Sequence, residues 1–375
     1  MRKLYLVFDK LPSSKDGGLI ATYVNFVQEL SEEYEIVFVS VFRSETTDIP
    51  AFANVQVMTL LDVPFDNRFY MFPHNALNGD LSGAALAIFS SLMFFPAIPL
   101  ARRASNKILR DGVIIAVAPL SAVFLSSKLK FYLEVHINFE YFWGGNLLGR
   151  LQSLLMAKPA LTIFRNKSDA TKGSRLFKSS YMYNTIDASQ ITFDTNRGRV
   201  NNMKALFVGR LVEQKNPLFL LKVAAIVRKA LPSFSLDIYG AGPLDGQLRA
   251  QIQDMKLDDC VHLKGFVSDK SIYSNYDMLW VSSINEGFGL VIVEAAANGV
   301  PTISTRWGDA VYEVIEDESS GFVADSVTSF ADKALAVFQD SSLRNNMGNE
   351  AYQKYRKDFS QERHKENWIR LISEY

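Results

Sequence analysis

Asn285-Glu286-Gly287-Phe288-Gly289-Leu290-Val291-Ile292-Val293-Glu294-Ala295-Ala296-Ala297-Asn298-Gly299-Val300-Pro301 carries two carboxylates with a Gly-rich turn between them. Glu286 lies in the turn, and the pattern places Glu294 about one turn into a helix that follows. An apolar run at 278–281 leads into the turn and reads as a β-strand. Gly299 and Pro301 end the helix, as Gly just past a helix and Pro beyond it do. A strand, a Gly turn and a helix N-terminus together make an anion site, because free backbone N–H groups converge there. A carboxylate beside such a site does not bind phosphate; it accepts hydrogen bonds from sugar hydroxyls. Phosphate and polyol recognition on one turn point to a nucleotide-sugar.

Outward from this stretch, short apolar runs alternate with helical patterns, which predicts βαβ units and parallel sheets. In the first half the expected strands are 4–8, 36–41, 55–59, 113–117, 131–135 and 161–164. In the second half they are 205–208, 235–239, 261–263, 278–281, 302–304 and 322–323. Gly17-Gly18 follows the first strand and precedes a helix at 19–30. Asn216 as N-cap and Pro217 at the first helical position start a helix that runs to Ala230, before Pro232. The chain has 375 residues, too many for one core. Its 48% hydrophobic content is enough to fill two. The polar segment 188–202 reads as the hinge. The expected domains are 1–190 and 200–350, with a terminal helix from about 350 to 375 that returns to the first domain. Ligands of doubly wound sheets bind at the carboxyl ends of the strands. The 285–301 stretch stands at such an end, so the nucleotide-sugar belongs to the second domain.

Composition excludes some partners. Lys plus Arg equals Asp plus Glu at 40 each, so no basic excess exists to neutralise nucleic-acid phosphates. The single cysteine, Cys260, cannot form an internal disulfide and reads as a buried, inert thiol in a reducing compartment. The apolar run at the N-terminus is too short for a signal peptide, so a cytoplasmic location is expected. No His/Asp/Glu cluster has ligand spacing, so no metal is expected. Residues 83–100 carry no charge and are followed by Arg102, Arg103, Lys107 and Arg110. Pro96 and Pro99 argue against a spanning helix. Two readings stay open for 83–110: partial insertion at a membrane surface, with the cations on anionic headgroups, or a buried helix of the first domain.

The 285–301 stretch resembles the E-x7-E signature of glycosyltransferase family 4, retaining enzymes of the GT-B fold. The resemblance is strongest over 203–324. Leu206-Phe207-Val208-Gly209-Arg210-Leu211-Val212-Glu213-Gln214-Lys215-Asn216-Pro217 resembles the family's donor-diphosphate loop. Ile238-Tyr239-Gly240-Ala241-Gly242-Pro243-Leu244 resembles its second glycine loop, and Val261-His262-Leu263-Lys264-Gly265-Phe266-Val267 its nucleobase segment. The fold implied is α/β GT-B, two doubly wound Rossmann-like domains facing across a cleft.

The resemblance implies roles for single residues. Arg210 and Lys215 would neutralise charge on the leaving diphosphate, work a divalent metal does elsewhere. Glu286 would accept hydroxyls of the transferred sugar, and Glu294 those of the ribose. Gly209, Gly287, Phe288, Gly289 and Leu290 would present backbone to sugar or phosphate. Gly240 and Gly242 would allow close approach to the nucleotide, with Phe266 and Val267 bordering the base. From the first domain, Gly17 and Gly18 would meet donor phosphates or acceptor, and His136 would face the donor sugar. The implied substrates are a UDP- or GDP-linked sugar and a glycan acceptor, lipid-linked as in polysaccharide or cell-envelope assembly, with no cofactor. Attack would come from the front face, the leaving phosphate taking the acceptor proton. Tyr183-Asn184-Thr185-Ile186-Asp187 resembles the family's Asn-Gly-Ile-Asp segment, with Thr185 in place of glycine. Alternatives are a nucleotide-sugar epimerase of the same architecture and a non-catalytic scaffold subunit. The epimerase would not carry the E-x7-E run with the Arg/Lys loop, and the scaffold would have lost these charged residues.

Overall fold

The apolar runs form β1 (Arg2–Phe8), β2 (Tyr34–Arg43), β3 (Gln56–Pro64), β4 (Gly112–Ala116), β5 (Tyr132–Val135), β6 (Leu161–Phe164) and β7 (Ser179–Tyr181) in the first half. The second half holds β8 (Lys204–Val208), β9 (Ser235–Tyr239), β10 (Val261–Gly265), β11 (Met278–Val281), β12 (Thr302–Thr305) and β13 (Gly321–Ala324). The computed structural model describes all residues except 13–17, 44–48, 65–95, 137, 138, 140–152, 188, 190, 192, 194–201 and 375. The first sheet has the order β3-β2-β1-β4-β5-β6-β7 and the second β10-β9-β8-β11-β12-β13. Neighbouring strands are parallel in both, as with β1 beside β2 and β4, and β8 beside β9 and β11. Each order reverses direction once, between β1 and β4 and between β8 and β11. In doubly wound sheets, ligands bind outside the carboxyl ends at that reversal.

The strands read as unbroken apolar runs because both faces of each sheet are covered. Along β1, Tyr5 and Val7 enter one apolar cluster while Leu4, Leu6 and Phe8 enter another. Along β11, Met278 and Trp280 point to one side and Leu279 and Val281 to the other. The two-residue repeat of a strand produces this split.

The chain divides into two units. One comprises Met1–Arg165, Asp169–Met182 and Trp368–Tyr375, the other Asn166–Ser168 and Tyr183–Asn367. The boundary therefore comes at Met182, earlier than the 190 read from the sequence. The reason is the Tyr183 ring, whose centroid lies 5.7 Å from that of Phe288 and 5.2 Å from that of Phe359, both of the second unit. Most of the 188–202 hinge lies outside the described residues. The single terminal helix expected from 350 is instead two helices, Ser341–Lys354 and Gln361–Ser373, with a π-helical turn Tyr355–Phe359 between them. Ser360 makes the break: its backbone is extended, and its hydroxyl accepts from the Arg363 N–H at 3.3 Å. Beyond it, Trp368 is fully buried in the first unit, edge-on to Phe26 at 5.0 Å.

Three local readings need correction. β7 was not foreseen; its sequence Ser-Ser-Tyr has no apolar run, and it is a short edge strand. Asn216 does precede Pro217 at the helix Pro217–Ala230, but its side chain makes no capping hydrogen bond. Its φ of 47° shows that tolerance of left-handed backbone is what asparagine supplies there. Of the 83–110 segment, 83–95 lies outside the described residues. Residues 96–108 are helical and bury Ala101 and Ser105, with Leu109 just beyond, one face at four-residue spacing. Arg102, one of the cations assigned to headgroups, donates to the Val123 carbonyl at 3.1 Å, whereas Arg103, Lys107 and Arg110 are exposed. No described helix is long and apolar enough to cross a membrane.

Candidate functional site

At the carboxyl end of β8 the chain turns through Gly209 into Arg210, and at the end of β11 through Ser282 and Ser283 into Glu286. These strands flank the reversal point of the second sheet. A 3-10 turn, Glu213–Lys215, leads from Val212 to the helix that Pro217 opens. Three hydrogen bonds join this turn to the β11 loop: Ile284 N–H to Gln214 O at 2.8 Å, Gln214 Nε2 to Asn285 O at 2.9 Å, and Ser282 Oγ to Lys215 O at 2.8 Å. So fixed, Lys215 Nζ forms a short ion pair with Glu286 Oε1, which also accepts from Ser283 Oγ at 2.6 Å. Ser283 is held in turn by its carbonyl, which accepts from Thr305 Oγ1 at 2.7 Å. Arg210 is exposed and has no hydrogen-bond or ion-pair partner among the described residues. The site thus offers an occupied cation and carboxylate side by side, with a second, unoccupied cation nearby in sequence.

The Gly turn behaves as its composition requires. Gly289 precedes the helix Leu290–Ala297 with φ 85°, a left-handed backbone that favours glycine. Leu290 is the first helical residue, so the N–H groups from Gly289 to Val291 have no i−4 carbonyl within the helix, and Ile292 N–H turns back to the Gly289 carbonyl at 2.9 Å. The Gly287 carbonyl accepts from Asn166 Nδ2 at 3.1 Å. The Phe288 ring is buried among Tyr183 and Phe359, so only its backbone can serve a ligand. Glu294 is buried one turn into the helix. Its Oε1 pairs with Lys270 Nζ at 2.7 Å and its Oε2 accepts from Tyr273 OH at 2.5 Å. Burial first, and the Glu294 charge second, push the Tyr273 phenol well above its usual pKa, so it stays a donor. Neither Lys270 nor Tyr273 was foreseen, since nothing in their local sequence marks them.

Gly240 and Gly242 have a packing role. A Cβ on Gly240 would fall 1.8 Å from the Gly209 carbonyl oxygen, and one on Gly242 would fall 2.4 Å from that of Leu211. The loops after β8 and β9 are in backbone contact, with Gly209 N–H donating to Tyr239 O and Leu211 N–H to Ala241 O, each at 3.0 Å. The end of β10 joins them through Gly240 N–H to Gly265 O at 2.8 Å. Phe266, first in the loop that follows, is 81% exposed, and Val267 is half-buried. An aromatic ring so exposed on a carboxyl-edge loop is not core packing.

In the first unit Gly18 opens the helix Gly18–Leu30, and Gly17 lies outside the described residues. His136 follows β5 and is bound within a polar cluster. Its Nε2 lies 2.8 Å from the Tyr23 hydroxyl, and its Nδ1 accepts from Arg165 Nε at 3.3 Å. Glu134, two residues earlier on β5, accepts from Tyr23 OH at 2.6 Å and pairs closely with Arg165 Nη2. Burial alone would raise the Glu134 pKa, but the Arg165 charge and the His136 and Tyr23 hydrogen bonds overcome it and hold the carboxyl at about 2. Burial, then Arg165, hold the His136 pKa below the usual histidine value. Glu134 and Arg165 were missed, yet a signal existed: a charge inside the apolar strand Tyr-Leu-Glu-Val must have a partner. Among the described residues no three His, Cys, Asp or Glu side chains cluster as a metal site would require.

Thr185, in place of the expected glycine, has ordinary backbone and donates from Oγ1 to the Phe359 carbonyl at 2.8 Å. A hydroxyl does useful bonding there, and no left-handed residue is needed.

Residues 191–354 match the glycosyl transferases group 1 family. Among curated relatives, the poly(glycerol-phosphate) alpha-glucosyltransferase of Bacillus subtilis is 28% identical over 46% of this chain and 26% of its own length. The GalNAc-alpha-(1->4)-GalNAc-alpha-(1->3)-diNAcBac-PP-undecaprenol alpha-1,4-N-acetyl-D-galactosaminyltransferase of Campylobacter jejuni is 30% identical over 50% of this chain and 52% of its own. The chain spans less than two thirds of the length of either relative. Two solved structures align over almost all of it. HepE of Anabaena, in complex with UDP and glucose, gives a TM-score of 0.74 at 16% identity, covering 100% of both chains. TarM of S. aureus gives 0.72 at 14% identity, covering 99% of this chain and 100% of its own. At that identity the likeness establishes the fold, two parallel-sheet Rossmann-like domains of the GT-B glycosyltransferase type, as the sequence led us to expect.

Proposed function

We propose that this chain is a retaining, metal-independent glycosyltransferase. It moves a sugar from a nucleoside-diphosphate donor to a hydroxyl of a glycan acceptor, lipid-linked, in polysaccharide or cell-envelope assembly. The observation that carries the reading is the pairing of Lys215 with Glu286 beside the exposed Arg210, at the reversal point of the second sheet. Two cations suit the diphosphate, whose charge grows as the bond to the sugar breaks. Glu286 accepts sugar hydroxyls, and Lys215 shifts from the carboxylate toward phosphate when donor enters. Glu294, backed by Lys270 and Tyr273, receives the ribose, and Phe266 meets the base. The anomeric carbon–phosphate bond breaks, the acceptor oxygen forms its bond on the same face, and its proton passes to the departing phosphate. The group 1 family match spans all the second-unit site residues. UDP in the HepE complex supports uracil as the base, and the undecaprenol-linked substrate of the Campylobacter relative supports a lipid-linked acceptor. A cytoplasmic protein at a membrane surface fits this acceptor; the exposed Arg103, Lys107 and Arg110 would meet anionic headgroups.

Thermal unfolding with millimolar UDP, GDP, ADP and CMP, each in EDTA, tests the donor site. A ligand at 100 times its dissociation constant adds about 2.7 kcal/mol, a visible shift in Tm. Selective stabilisation by UDP is expected. Stabilisation by none of the four would sink the reading and favour a non-catalytic scaffold.

A further inference from the structure

The segment between β10 and β11 supplies Glu294 with two partners of different kinds, and the difference assigns them different work. Lys270 and Tyr273 lie three residues apart on the 3-10 turn Lys270–Asn275. In such a turn, side chains at that spacing stand one above the other, so both reach the same carboxylate. Tyr273 is 1% exposed and donates to Glu294 Oε2 at 2.5 Å, which closes the inner side of the group. Lys270 Nζ stands 2.7 Å from Oε1, and its side chain is 38% exposed. A ligand arriving from solvent therefore meets Oε1 and the ammonium together. The arrangement is anchored on both sides. Asp269 caps the turn, accepting from Ser271 N–H at 2.8 Å and from Ser271 Oγ at 2.9 Å. Asn298 Nδ2, deep in the interior, donates to the Lys270 carbonyl at 3.3 Å and to the Glu294 carbonyl at 2.8 Å. One buried amide thus fixes the backbones of cation and carboxylate against each other.

We infer that Lys270 is a specificity-determining residue of the donor site: with Glu294 Oε1 it clasps one hydroxyl of the ribose diol, so the site selects a ribonucleoside diphosphate over its deoxy counterpart. This rests on the transferase reading, which puts the ribose at Glu294. A hydroxyl has one proton to give and an oxygen that accepts. Against this pair it gives the proton to Oε1 and accepts from Nζ at once, and the ion pair stays intact. Among the described residues Glu294 is the only partner of Lys270 Nζ, and an ammonium carries three donors, so N–H groups remain for the ligand. A carboxylate alone would take the proton and leave the hydroxyl oxygen unbonded. A deoxy sugar presents only C–H at that place, so both charged groups would be covered and gain no bond. Tyr273 is the positioning residue, holding Oε2 so that Oε1 is the oxygen presented. Lys270 follows Phe266 by four residues, so one short segment carries both the aromatic at the base edge and the clasp for the ribose.

Titration calorimetry of the full chain with UDP, 2′-deoxy-UDP and 3′-deoxy-UDP tests this. A hydrogen bond to a charged group is worth about tenfold in affinity, and the clasped hydroxyl makes two. In the wild type one of the deoxy ligands should therefore bind about 100-fold more weakly than UDP. In Lys270→Met the gap should narrow to about tenfold, because UDP weakens while that deoxy ligand binds as before. Lys270→Arg keeps a charged donor and should keep most of the gap. Lys270→Gln keeps an N–H donor without the charge and should fall between wild type and Lys270→Met; it replaces Lys270→Met if a thermal melt shows that variant unfolded. A wild type that binds all three ligands equally would overturn the inference. So would a Lys270→Met or Lys270→Gln protein in which all three weaken by the same factor, since Lys270 would then act on the phosphates, or in which none weakens. Binding of none of the three by the wild type would overturn the donor-site reading and the inference with it, whereas binding without discrimination overturns the inference alone.

Discussion

Both sheets carry an ion pair of carboxylate and cation at their carboxyl edge, and the two pairs differ in what they leave free. In the first unit Glu134 and Arg165 are 1% and 3% exposed, and their partners are Tyr23 and His136, all internal. In the second, Glu286 and Lys215 are 8% and 18% exposed, and the exposed Arg210 follows the adjacent β8. The first is a closed network that shapes one side chain. The second is an open one whose cations have hydrogen-bonding capacity left for a ligand. A buried pair is strongly destabilising to break, because its survivor is left charged in the interior. A half-open pair costs less to break, because water can reach the survivor.

The largest expected effect uses this contrast directly. Glu134→Ala should destabilise the protein by about 3–5 kcal/mol, measured by urea unfolding at pH 7, since Arg165 keeps its charge without a counterpart. The same carboxyl gives a pH signature. Its folded pKa of about 2 lies below the ordinary value of 4.5, so its stabilisation is complete above pH 4.5 and is lost as pH falls toward 2. That difference is worth about 3 kcal/mol at neutral pH. Unfolding curves between pH 7 and 2.5 should fall more steeply in wild type than in Glu134→Ala, which keeps only the losses from the other carboxylates. A Glu134→Ala protein as stable as wild type would erase the distinction between the clusters.

Glu286→Gln should do the reverse. Stability changes by less than about 1 kcal/mol, as Lys215 is partly solvated. Sugar transfer should fall by about 10²–10³-fold, the size of effect seen when one preorganised group at a reacting centre is removed. Initial rates with donor and acceptor saturating, alongside a thermal melt, separate the two. Transfer that survives while the melt collapses would make Glu286 a structural residue like Glu134.

The contrast also explains what could be read in advance. The second site lies in contiguous runs: Gly209 to Pro217 brings both cations, and Glu286 to Glu294 both carboxylates. Each run is one strand–turn–helix unit, so local spacing maps onto local geometry. The first site is scattered over Tyr23, Glu134, His136 and Arg165, which the parallel pairing of β5 with β6 and the packing of one helix bring together. No local pattern encodes that, so only His136 was visible. Strands were legible because the apolar runs are nearly continuous. The unit boundary was not, because it depends on where the Tyr183 ring packs.

A smaller effect distinguishes glycines that hold the second site's loops. Gly240→Ala should cost about 2–3 kcal/mol, because φ is +150° and the new Cβ would fall 1.8 Å from the Gly209 carbonyl, which cannot yield. Gly265→Ala, at φ +73° with nothing within 4 Å, should cost only about 1 kcal/mol from backbone strain. Chemical denaturation of both, with UDP binding by calorimetry, is the measurement. Equal losses would mean that backbone conformation alone, and not the contact between loops, fixes the turn.

The smallest effect on stability belongs to Phe266. Its ring is 81% exposed, so Phe266→Ala removes almost no burial and should change unfolding by less than about 0.5 kcal/mol. Its place directly after Gly265, the last paired residue of β10, whose carbonyl accepts from Gly240 N–H, sets it at the edge where the base is expected. A ring packed on a base is worth about 0.5–1.5 kcal/mol, so UDP affinity should drop by roughly threefold to tenfold. The Leu replacement should recover part of the loss by contact area but not the ring-specific share. If UDP binds Phe266→Ala as it binds wild type, the base lies elsewhere. The open cluster would then be defined by Arg210, Lys215 and Glu286 alone, with the exposed aromatic left for another partner.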